Sequence, residues 1–367
     1  MRIMLLFLII VACLCGPVAQ ALPPEAQGET ALPARPLKLA IPDGQAYAGA
    51  YIDFGEHEDT VTLEQIERFD QLVGKQQAIV AFSSDWGNQS FPGQQLAIIA
   101  NYGAAPLVYW SPWDRPVHEN VPPGQRGRFD LRAILAGQWD GYIDMWATRA
   151  KEYGKPLFVS WGLEMNGEWF PWSGVFYGKG EPVEGCAQCF AGPETFKKAY
   201  RYVVDRVRAR GALNILWVWH PNNSSNPDEP WNAMAPYYPG PDYADWLALS
   251  AYGSQYPTEN WISMESAVTA YYKKISQVDP NKPIMLGEWG VGEFPKAGSK
   301  AQWFTDFFQR APKEFPRLRA AIFWHERWQN GDQSFSNLRV NSSAEALEAY
   351  RKGIADPFWL PRPIFQQ

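Results

Sequence analysis

Two glutamates with unusual neighbours are the residues of this sequence best suited to chemistry. Glu164 lies in the run VSWGLEMNGEWFPW, and Glu288 lies in PIMLGEWG, 124 positions further along the chain. Neither has a Lys or Arg beside it, and each is followed by a tryptophan within five residues. A single loop glutamate is usually solvated or bonded to backbone, whereas two of them can divide the work of acid and base. Apolar surroundings keep one carboxyl group protonated while the other is ionised, which is the requirement for breaking a glycosidic bond.

The aromatic content indicates stacking surfaces in addition to a core. The chain has eighteen Trp, seventeen Tyr and twenty Phe among its 367 residues. Indole rings offer flat apolar faces with one polar edge, which suit contact with ligands such as sugar rings. The tryptophans near the two glutamates and near the ends of predicted strands are therefore predicted to stack on a carbohydrate: Trp110, Trp169, Trp172, Trp289 and Trp324.

Eight short apolar runs, separated by segments of helical period, predict the framework that positions these side chains. Several runs, such as LFVSW and ILWVW, are apolar throughout, as in parallel strands buried on both faces. The predicted strands are Ala48–Asp53, Gln77–Phe82, Pro106–Ser111, Pro156–Trp161, Asn214–Trp219, Trp246–Ala251, Pro283–Glu288 and Ala320–Trp324. This alternation is typical of an α/β protein with a single (β/α)8 TIM barrel, whose functional groups lie at the carboxyl ends of the strands.

An open, doubly wound sheet is the alternative fold, but the sequence lacks the Gly-rich phosphate loop expected after its first strand. No internal repeat or linker indicates a second domain, so we predict one catalytic domain over residues 39–367. With 46% hydrophobic and 20% charged residues, the composition is that of a globular protein. A net charge of −6 excludes the basic surface that nucleic-acid-binding proteins carry.

The N-terminal sequence predicts export. MRIMLLFLIIVACLCG carries one early Arg and then an apolar run too short to span a bilayer, and AQA at positions 19–21 has the form of a signal-peptidase site. We therefore predict a signal peptide over residues 1–21, a flexible leader over residues 22–38, and a secreted or periplasmic protein. The run IVAC at positions 10–13 resembles a bacterial lipobox, so a lipid anchor on Cys13, as in an outer-membrane lipoprotein, is the alternative. No other stretch is apolar enough to predict a membrane span.

Two cysteines remain beyond the predicted signal peptide, Cys186 and Cys189, in GEPVEGCAQCFAGPE. A C-x-x-C motif can carry redox chemistry or supply half of a zinc site. No second C-x-x-C or His pair provides the other zinc ligands, and the exported context favours a disulfide that clamps a long loop. The sequence thus predicts a disulfide, no metal and no cofactor.

Around both glutamates the sequence resembles glycoside hydrolase family 26, a family of retaining (β/α)8 barrels. GLEMNGEWFPW is similar to the family's acid/base motif, usually H-E-M-N-G-x-W, and KPIMLGEWG is similar to its nucleophile strand. YYPGPDYADWLALSAYG, at positions 237–253, resembles the segment that leads into the sixth strand, and AIFWHERW resembles the last strand. The matches follow the order of the predicted strands and extend over most of the chain.

The resemblance implies a role for each residue of the site. By it, Glu164 is the acid/base, Glu288 is the nucleophile, and Tyr252 hydrogen-bonds the nucleophile. Trp324 is then the aromatic floor under the reacting sugar. Retention of configuration implies that the two carboxyl groups lie about 5–5.5 Å apart.

One position departs from the family's pattern. Leu163 replaces the His that usually precedes the acid/base, and Trp161 stands where an Arg is often found. Leucine cannot hydrogen-bond a sugar, although it can desolvate Glu164 further. The resemblance implies an endo-acting retaining β-glycoside hydrolase with β-1,4-mannan as the first substrate. Mixed-linkage β-1,3-1,4-glucan and a microbial exopolysaccharide are the alternative substrates, and a noncatalytic carbohydrate-binding barrel is the alternative function.

Two further polar residues complete the predicted site. His220 follows the fifth strand, and we expect it to hydrogen-bond sugar hydroxyls or backbone. It is not expected to bind a metal, because such a site needs at least three ligands and the sequence offers no third one. Asn166, within the acid/base motif, is predicted to bind the substrate. The expected partner is a polysaccharide or oligosaccharide and not nucleic acid, and we expect a monomer.

Overall fold

The computed structural model describes residues 38–55, 60–114, 127–257 and 260–366. The predicted signal peptide, Cys13 and residues 22–37 of the predicted leader lie outside the described residues. Lys38, the last residue of that leader, pairs in antiparallel fashion with Gln366, as part of a two-stranded sheet of Lys38–Leu39 and Phe365–Gln366.

Eight parallel strands form a closed barrel. They are β1 (Ala46–Ile52), β2 (Ile79–Asp85), β3 (Ala105–Ser111), β4 (Leu157–Trp161), β5 (Ile215–Trp219), β6 (Trp246–Tyr252), β7 (Ile284–Gly290) and β8 (Leu318–His325). Each strand pairs with the next, and β8 pairs with β1 from Ala320↔Tyr47 to His325↔Ile52, which closes the sheet. The predicted (β/α)8 barrel is confirmed, and every strand bound lies within three residues of its prediction.

Helices cover the outside of this barrel. The longer ones are α1 (Leu63–Val73), α2 (Gly93–Tyr102), α3 (Asp140–Tyr153), α4 (Ala191–Ala209), α5 (Ala270–Val278), α6 (Lys300–Glu314) and α7 (Ala344–Ile354), and a five-residue helix, Leu131–Leu135, precedes α3. Each buries an apolar stripe, as in α4, where Phe196, Tyr200 and Val203 recur at helical spacing. The Ser343 hydroxyl accepts from the Ala346 N–H and caps α7.

Several connections on the carboxyl side of the barrel differ from a plain strand–helix repeat, among them the one between β8 and α7, where Arg327–Gln329 pairs with Phe335–Asn337. Between β4 and α4, Pro182–Val183 pairs with Cys186–Phe190 to form a short hairpin. The predicted disulfide between Cys186 and Cys189 is present in it. Between β5 and β6, where the described residues are continuous, two 3₁₀ turns replace an α-helix, Pro230–Asn232 and Ala235–Tyr237.

The tryptophans chiefly pack the layer between the barrel and the helices. Nine of the eighteen are less than 2% exposed: Trp86, Trp110, Trp146, Trp161, Trp172, Trp217, Trp219, Trp289 and Trp359. Trp289 on β7, for example, contacts Trp303 and Phe307 of α6, with ring centroids 6.0 and 4.1 Å apart. The high indole content is therefore mainly a property of the core.

The C-terminal segment seals the amino end of the barrel. Trp359–Leu360 lies parallel to the start of β1, with Trp359 opposite Ala46. The Trp359 side chain is buried against Phe307 and Phe308 of α6, with ring centroids 5.7 and 5.6 Å away. Across the residues described, no helix combines the length and the apolar character needed to cross a membrane.

Candidate active site

Glu164 lies in a tight turn just beyond the carboxyl end of β4. Gly162 and Glu164 both have left-handed backbone conformations, with φ of 60° and 53°. For a residue other than glycine this conformation costs about 1 kcal/mol, so other contacts must hold it. The Glu164 N–H donates to the His220 carbonyl at 2.6 Å, and the Glu164 carbonyl accepts from the Gly167 N–H at 2.9 Å. The first bond holds the turn to the end of β5, the neighbouring strand, and the second bond closes the turn itself.

Two neutral donors hold the carboxyl group of Glu164. The Trp169 indole N–H donates to Oε2 at 2.7 Å, and the Ser250 hydroxyl also hydrogen-bonds the carboxyl group. Burial raises the pKa of Glu164 above its ordinary value, and it outweighs the two hydrogen bonds, which lower that pKa. Half-buried Trp169 therefore contacts Glu164, whose raised pKa suits a proton donor.

A bulge in β7 directs Glu288 toward the barrel mouth. The register of β7 shifts by one residue against β6 between Leu286 and Glu288, and against β8 between Leu286 and Trp289, which places a bulge at Gly287–Glu288. The Tyr109 hydroxyl on β3 donates to the Gly287 carbonyl across the barrel at 2.7 Å. Glu288 follows directly and is buried.

Tyr252, at the carboxyl end of β6, hydrogen-bonds Glu288 and lies near Glu164. Its hydroxyl donates to Glu288 Oε2 at 2.8 Å, which is the contact that the family resemblance implies. Burial raises the pKa of Tyr252, and the negative charges of Glu288 and Glu164 raise it further, so both carboxyl groups lie close to this phenol. Ser250, two residues earlier on β6, hydrogen-bonds Glu164 and lies opposite Glu288 in the sheet. The ends of β4, β6 and β7 thus bring the two glutamates to one side of the barrel mouth.

His220 lies inside the barrel and not on the surface of the cleft. Its fully buried ring places Nδ1 3.1 Å from Ser160 Oγ and Nε2 3.1 Å from Ser250 Oγ. Burial lowers the pKa of His220 to about 3, so the ring is neutral. The prediction that His220 binds substrate is corrected, because both ring nitrogens are engaged by serines. Within the described ranges, no group of three or more His, Cys, Asp or Glu side chains is arranged to hold a metal ion.

Ser160 and Ser250 are candidate functional residues that the sequence analysis missed. Ser160 is a single polar residue in the apolar strand LFVSW, and Ser250 is a single serine in WLALSAY. A polar side chain in a strand buried on both faces must find a hydrogen-bond partner inside the protein. A lone serine near the carboxyl end of such a strand is the signal that could have identified them.

Trp324 on β8 presents a flat, partly exposed surface inside the barrel mouth. Its indole stacks on Tyr51 of β1, with ring centroids 3.8 Å apart and planes 6° apart. The indole N–H donates to Glu326 Oε2 at 2.7 Å, which fixes the ring in its plane. The role of an aromatic floor under the sugar, which the resemblance implies for Trp324, stays a prediction.

Trp110 and Trp289 do not reach the cleft, and their predicted role in substrate binding is corrected. Trp110 stacks on Trp146 of α3 with ring centroids 4.2 Å apart, and its N–H donates to the Tyr142 hydroxyl at 2.9 Å. Trp289 faces α6, because it follows Glu288 and successive side chains of a strand point to opposite faces. Both indoles therefore belong to the core between the barrel and the helices.

The turn after β4 buries three further residues of the motif. Asn166 accepts from the Asn222 N–H at 2.8 Å and donates to the Asn222 carbonyl at 3.0 Å. Its amide therefore joins the loops after β4 and β5, which corrects the prediction that Asn166 binds substrate. Trp172 is also fully buried, and its N–H donates to the Leu163 carbonyl at 2.6 Å. Leu163, where the sequence departs from the family's pattern, is an apolar and buried neighbour of Glu164.

Comparison with known proteins agrees with this geometry. The sequence profile described as glycosyl hydrolase family 26 matches residues 132–305, which include Glu164, Tyr252 and Glu288. Endoglucanase H of Acetivibrio thermocellus is 28% identical over 295 residues, which cover 79% of this chain and 29% of that protein. A mannan endo-1,4-beta-mannosidase of Bacillus subtilis strain 168 is 22% identical over 317 residues, covering 80% of this chain and 76% of the relative. The chain therefore spans less than a third of the length of endoglucanase H.

Solved structures have the same barrel. The structure of a Bacillus subtilis mannanase superposes on this chain with a TM-score of 0.58 at 17% identity, and 87% of each chain is covered. At this identity the likeness concerns the fold alone. The matched profile adds evidence from the sequence to the likeness of fold, because the residues that it matches include both glutamates and Tyr252. Over residues 132–305, which carry both glutamates and Tyr252, the chain is therefore similar to glycosyl hydrolase family 26.

Proposed function

We propose that this protein is an exported, endo-acting, retaining β-glycoside hydrolase that cleaves a plant or microbial β-glycan by double displacement. The observation that carries the proposal is the convergence of Glu164 and Glu288 on Tyr252 at the carboxyl end of the barrel. Two carboxyl groups at one point, one of them with a raised pKa, form the arrangement that glycoside hydrolysis requires.

In the first step Glu164 acts as the acid and Glu288 as the nucleophile. A Glu288 oxygen bonds to the anomeric carbon, the bond from that carbon to the leaving oxygen breaks, and Glu164 gives its proton to the leaving oxygen. The raised pKa of Glu164 keeps the proton on it until this step. The Tyr252 hydroxyl restricts rotation of the Glu288 carboxylate by fixing Oε2.

In the second step Glu164 acts as the base. It removes a proton from a water molecule as the water oxygen bonds to the anomeric carbon and the ester bond to Glu288 breaks. Two inversions at one carbon restore the original configuration. Trp169 and Ser250 are neutral donors, so both can remain bonded to Glu164 in either protonation state.

β-1,4-Mannan is the substrate we propose first, and mixed-linkage β-glucan or an exopolysaccharide are the alternatives. The relatives point to both sugar types, since one is named a mannan endo-1,4-beta-mannosidase and another an endoglucanase. Trp324, stacked on Tyr51, offers a flat face for a pyranose ring. Leu163 adds no hydrogen bond beside Glu164, which leaves the sugar preference to other contacts.

The experiment is a screen of the purified protein on mannan, mixed-linkage glucan, xylan and exopolysaccharides, with new reducing ends as the readout. Glu288→Ala should abolish the activity, and added azide should then give a glycosyl azide of inverted configuration. Glu164→Ala with azide should give the retained configuration, which separates the two roles. Undiminished hydrolysis by Glu288→Ala would remove Glu288 from the reaction.

The alternative function is that of a noncatalytic barrel, which binds carbohydrate without hydrolysing it. Calorimetry with oligosaccharides would then show heat of binding, while the same mixtures would yield no new reducing ends. Because the two glutamates and Tyr252 are brought together, we expect both heat and products.

Export is proposed from the N-terminal sequence alone. Cleavage after Ala21 gives a mature chain that begins at Leu22, whereas lipidation gives a chain that begins with a diacylated Cys13. N-terminal sequencing and the intact mass of the protein recovered from its producing cell distinguish these two products.

A further inference from the structure

A buried chain of hydrogen bonds leads from β4 to the carboxyl group of Glu164. It runs from Ser160 Oγ to His220 Nδ1, and from His220 Nε2 to Ser250 Oγ, each over 3.1 Å. Ser250 in turn hydrogen-bonds Glu164. All three links lie in the barrel interior, since Ser160, His220 and Ser250 are fully buried.

The direction of these bonds follows from the neutral ring. A neutral imidazole carries one ring proton, and a serine hydroxyl has one proton to give. A Ser250 hydroxyl that gives its proton to Glu164 requires the ring proton on Nε2, and Nδ1 then accepts from the Ser160 hydroxyl. With Nε2–H directed at its oxygen, the Ser250 hydroxyl is free to give its own proton to Glu164.

We propose that His220 is a positioning residue for the acid/base: acting through Ser250, it orients the hydroxyl that donates to the Glu164 carboxylate. This inference rests on the proposed hydrolase function of Glu164. His220 acts on the same residue from a second side, because its carbonyl accepts the Glu164 N–H at 2.6 Å. One residue at the end of β5 thus holds both the backbone and the carboxyl group of the acid.

The neighbouring strand is shaped to admit this ring. A Cβ at Gly287 would lie 2.5 Å from His220 Cε1, 2.7 Å from Nε2 and 3.0 Å from Nδ1. β7 therefore carries no side chain at the position directly before Glu288, where the imidazole lies. The titratable groups around Glu164 are then Glu288 on β7, Tyr252 on β6 and neutral His220 on β5.

The test uses variants that differ in which nitrogen of His220 they imitate. His220→Gln places an amide near the position of Nε2 and can still donate to Ser250, whereas His220→Asn reaches only toward Ser160. Ser250→Ala removes the bond to Glu164 directly. Ser173→Ala is the matched control, because Ser173 is fully buried in the loop after β4 and its hydroxyl has no hydrogen-bond partner among the described residues.

The measured quantities are the pH profile of kcat/KM and the titration of the Glu164 carboxyl carbon by NMR. A hydrogen bond to the charged form lowers a carboxyl pKa, so its loss should raise the pKa of Glu164. We expect Ser250→Ala and His220→Asn to move the basic limb and the NMR titration upward by about one pH unit. His220→Gln and Ser173→Ala should stay close to the parent protein.

The dependence on the leaving group gives a second readout. A weakened acid matters most when the leaving oxygen is a poor leaving group, so kcat/KM on the polysaccharide should fall about tenfold in Ser250→Ala and His220→Asn. Aryl glycosides with an acidic phenol need no proton and should change less than about twofold. A purely structural role of His220 would lower both activities together.

The possible failures are distinguishable. If the parent protein hydrolyses no glycan, the proposed function fails, and the NMR titration still decides whether His220 positions Glu164. If Ser250→Ala shifts the titration and His220→Asn does not, the role of His220 is overturned. If neither variant shifts it, the whole inference is overturned. Should His220→Asn not fold, Ser160→Ala replaces it, because that change removes only the outer partner of the ring and should shift the titration in the same direction.

Discussion

Three neutral groups donate to Glu164 and Glu288. An indole N–H and a hydroxyl donate to Glu164, and a phenol donates to Glu288. A carboxyl group held by such donors can gain or lose a proton or form an ester without breaking an ion pair. Glu164 must change its protonation state twice in the proposed cycle, and its partners permit both changes.

Tyr252→Phe tests whether the Tyr252 hydroxyl positions Glu288, the proposed nucleophile. The change removes a hydrogen bond to a charged group, which is worth about 1.5–3 kcal/mol. We therefore expect kcat to fall about 10- to 100-fold, with little change in KM or in the thermal midpoint. Steady-state kinetics on the accepted polysaccharide check this, with Tyr243→Phe as a surface control. Full activity of Tyr252→Phe would show that Glu288 does not depend on the phenol.

At this scale the sequence identifies the chemistry better than the surface that binds the sugar. Carboxylates in aromatic surroundings stand out, so Glu164 and Glu288 could be found, and Tyr252 follows from the resemblance. Trp110 and Trp289 were misplaced because their strands are apolar on both faces. Such a strand has no alternation to show which side chains face the barrel axis.

Among the elements, β7 determines the geometry of the site. One extra residue in a strand changes which side chains face inward, so the bulge at Gly287 sets the direction of Glu288 and Trp289. Sequence patterns do not predict a bulge in a strand that is buried on both faces. The eight strands could be predicted to within three residues, whereas the register shift within one of them could not.

Gly287→Ala should disrupt this strand. The new methyl group would lie 2.5 Å from the His220 ring, which the surrounding barrel holds in place. We expect a loss of about 1–3 kcal/mol in the free energy of unfolding, together with a large loss of activity. Denaturant unfolding and kinetics measure both, and Gly290→Ala on the same strand is the control because its nearest neighbour is the tip of Leu338 at 3.3 Å. Equal effects of the two changes would contradict this account.

A carboxyl group between α1 and α2 makes stability depend on pH. Asp70 accepts a hydrogen bond from the Tyr102 hydroxyl. Burial raises the pKa of Asp70 to about 6, although that hydrogen bond and the charge of Arg362 lower it. The folded state therefore holds this proton more tightly than the unfolded state does. The stability it contributes is complete below about pH 4 and is lost as the pH rises to about 6.

Asp70→Asn should remove the loss of stability at higher pH, because an amide stays neutral and its oxygen can still accept from the Tyr102 hydroxyl. We expect the thermal midpoint to rise by about 2–4 °C at pH 7 and to stay unchanged at pH 4. Melting curves at the two pH values check the sign. An equal rise at both pH values would indicate a cause other than the charge.

On the scale of the whole molecule, the C-terminal segment contributes to the packing at the amino end of the barrel. Trp359 lies between the start of β1 and α6, so the last part of the sequence covers the first part of the sheet. The alternation of apolar runs and helical segments predicted the barrel because each element is short and regular. That alternation does not predict a C-terminal segment that pairs with β1, so this contact could be found only in the structure.

Trp359→Ala should test this seal. Removing a fully buried indole costs about 3–5 kcal/mol, so unfolding should occur at a clearly lower denaturant concentration. Phe365→Ala is the control, since that ring is 41% exposed and its loss should change the stability by less than about 0.5 kcal/mol. The catalytic constants of both variants at low temperature should match the parent protein, because Trp359 lies at the opposite end of the barrel. A Trp359→Ala variant as stable as Phe365→Ala would show that the segment is dispensable.

The stacking of Trp324 on Tyr51 joins the last strand of the barrel to the first. In the sequence these two rings are 273 positions apart, and their contact requires that the first and last strands of the barrel have met. A sugar that rests on Trp324 would therefore meet its binding surface only on a closed barrel. Glycan recognition would then require the completed fold, so that truncated or partly folded chains could not compete for substrate.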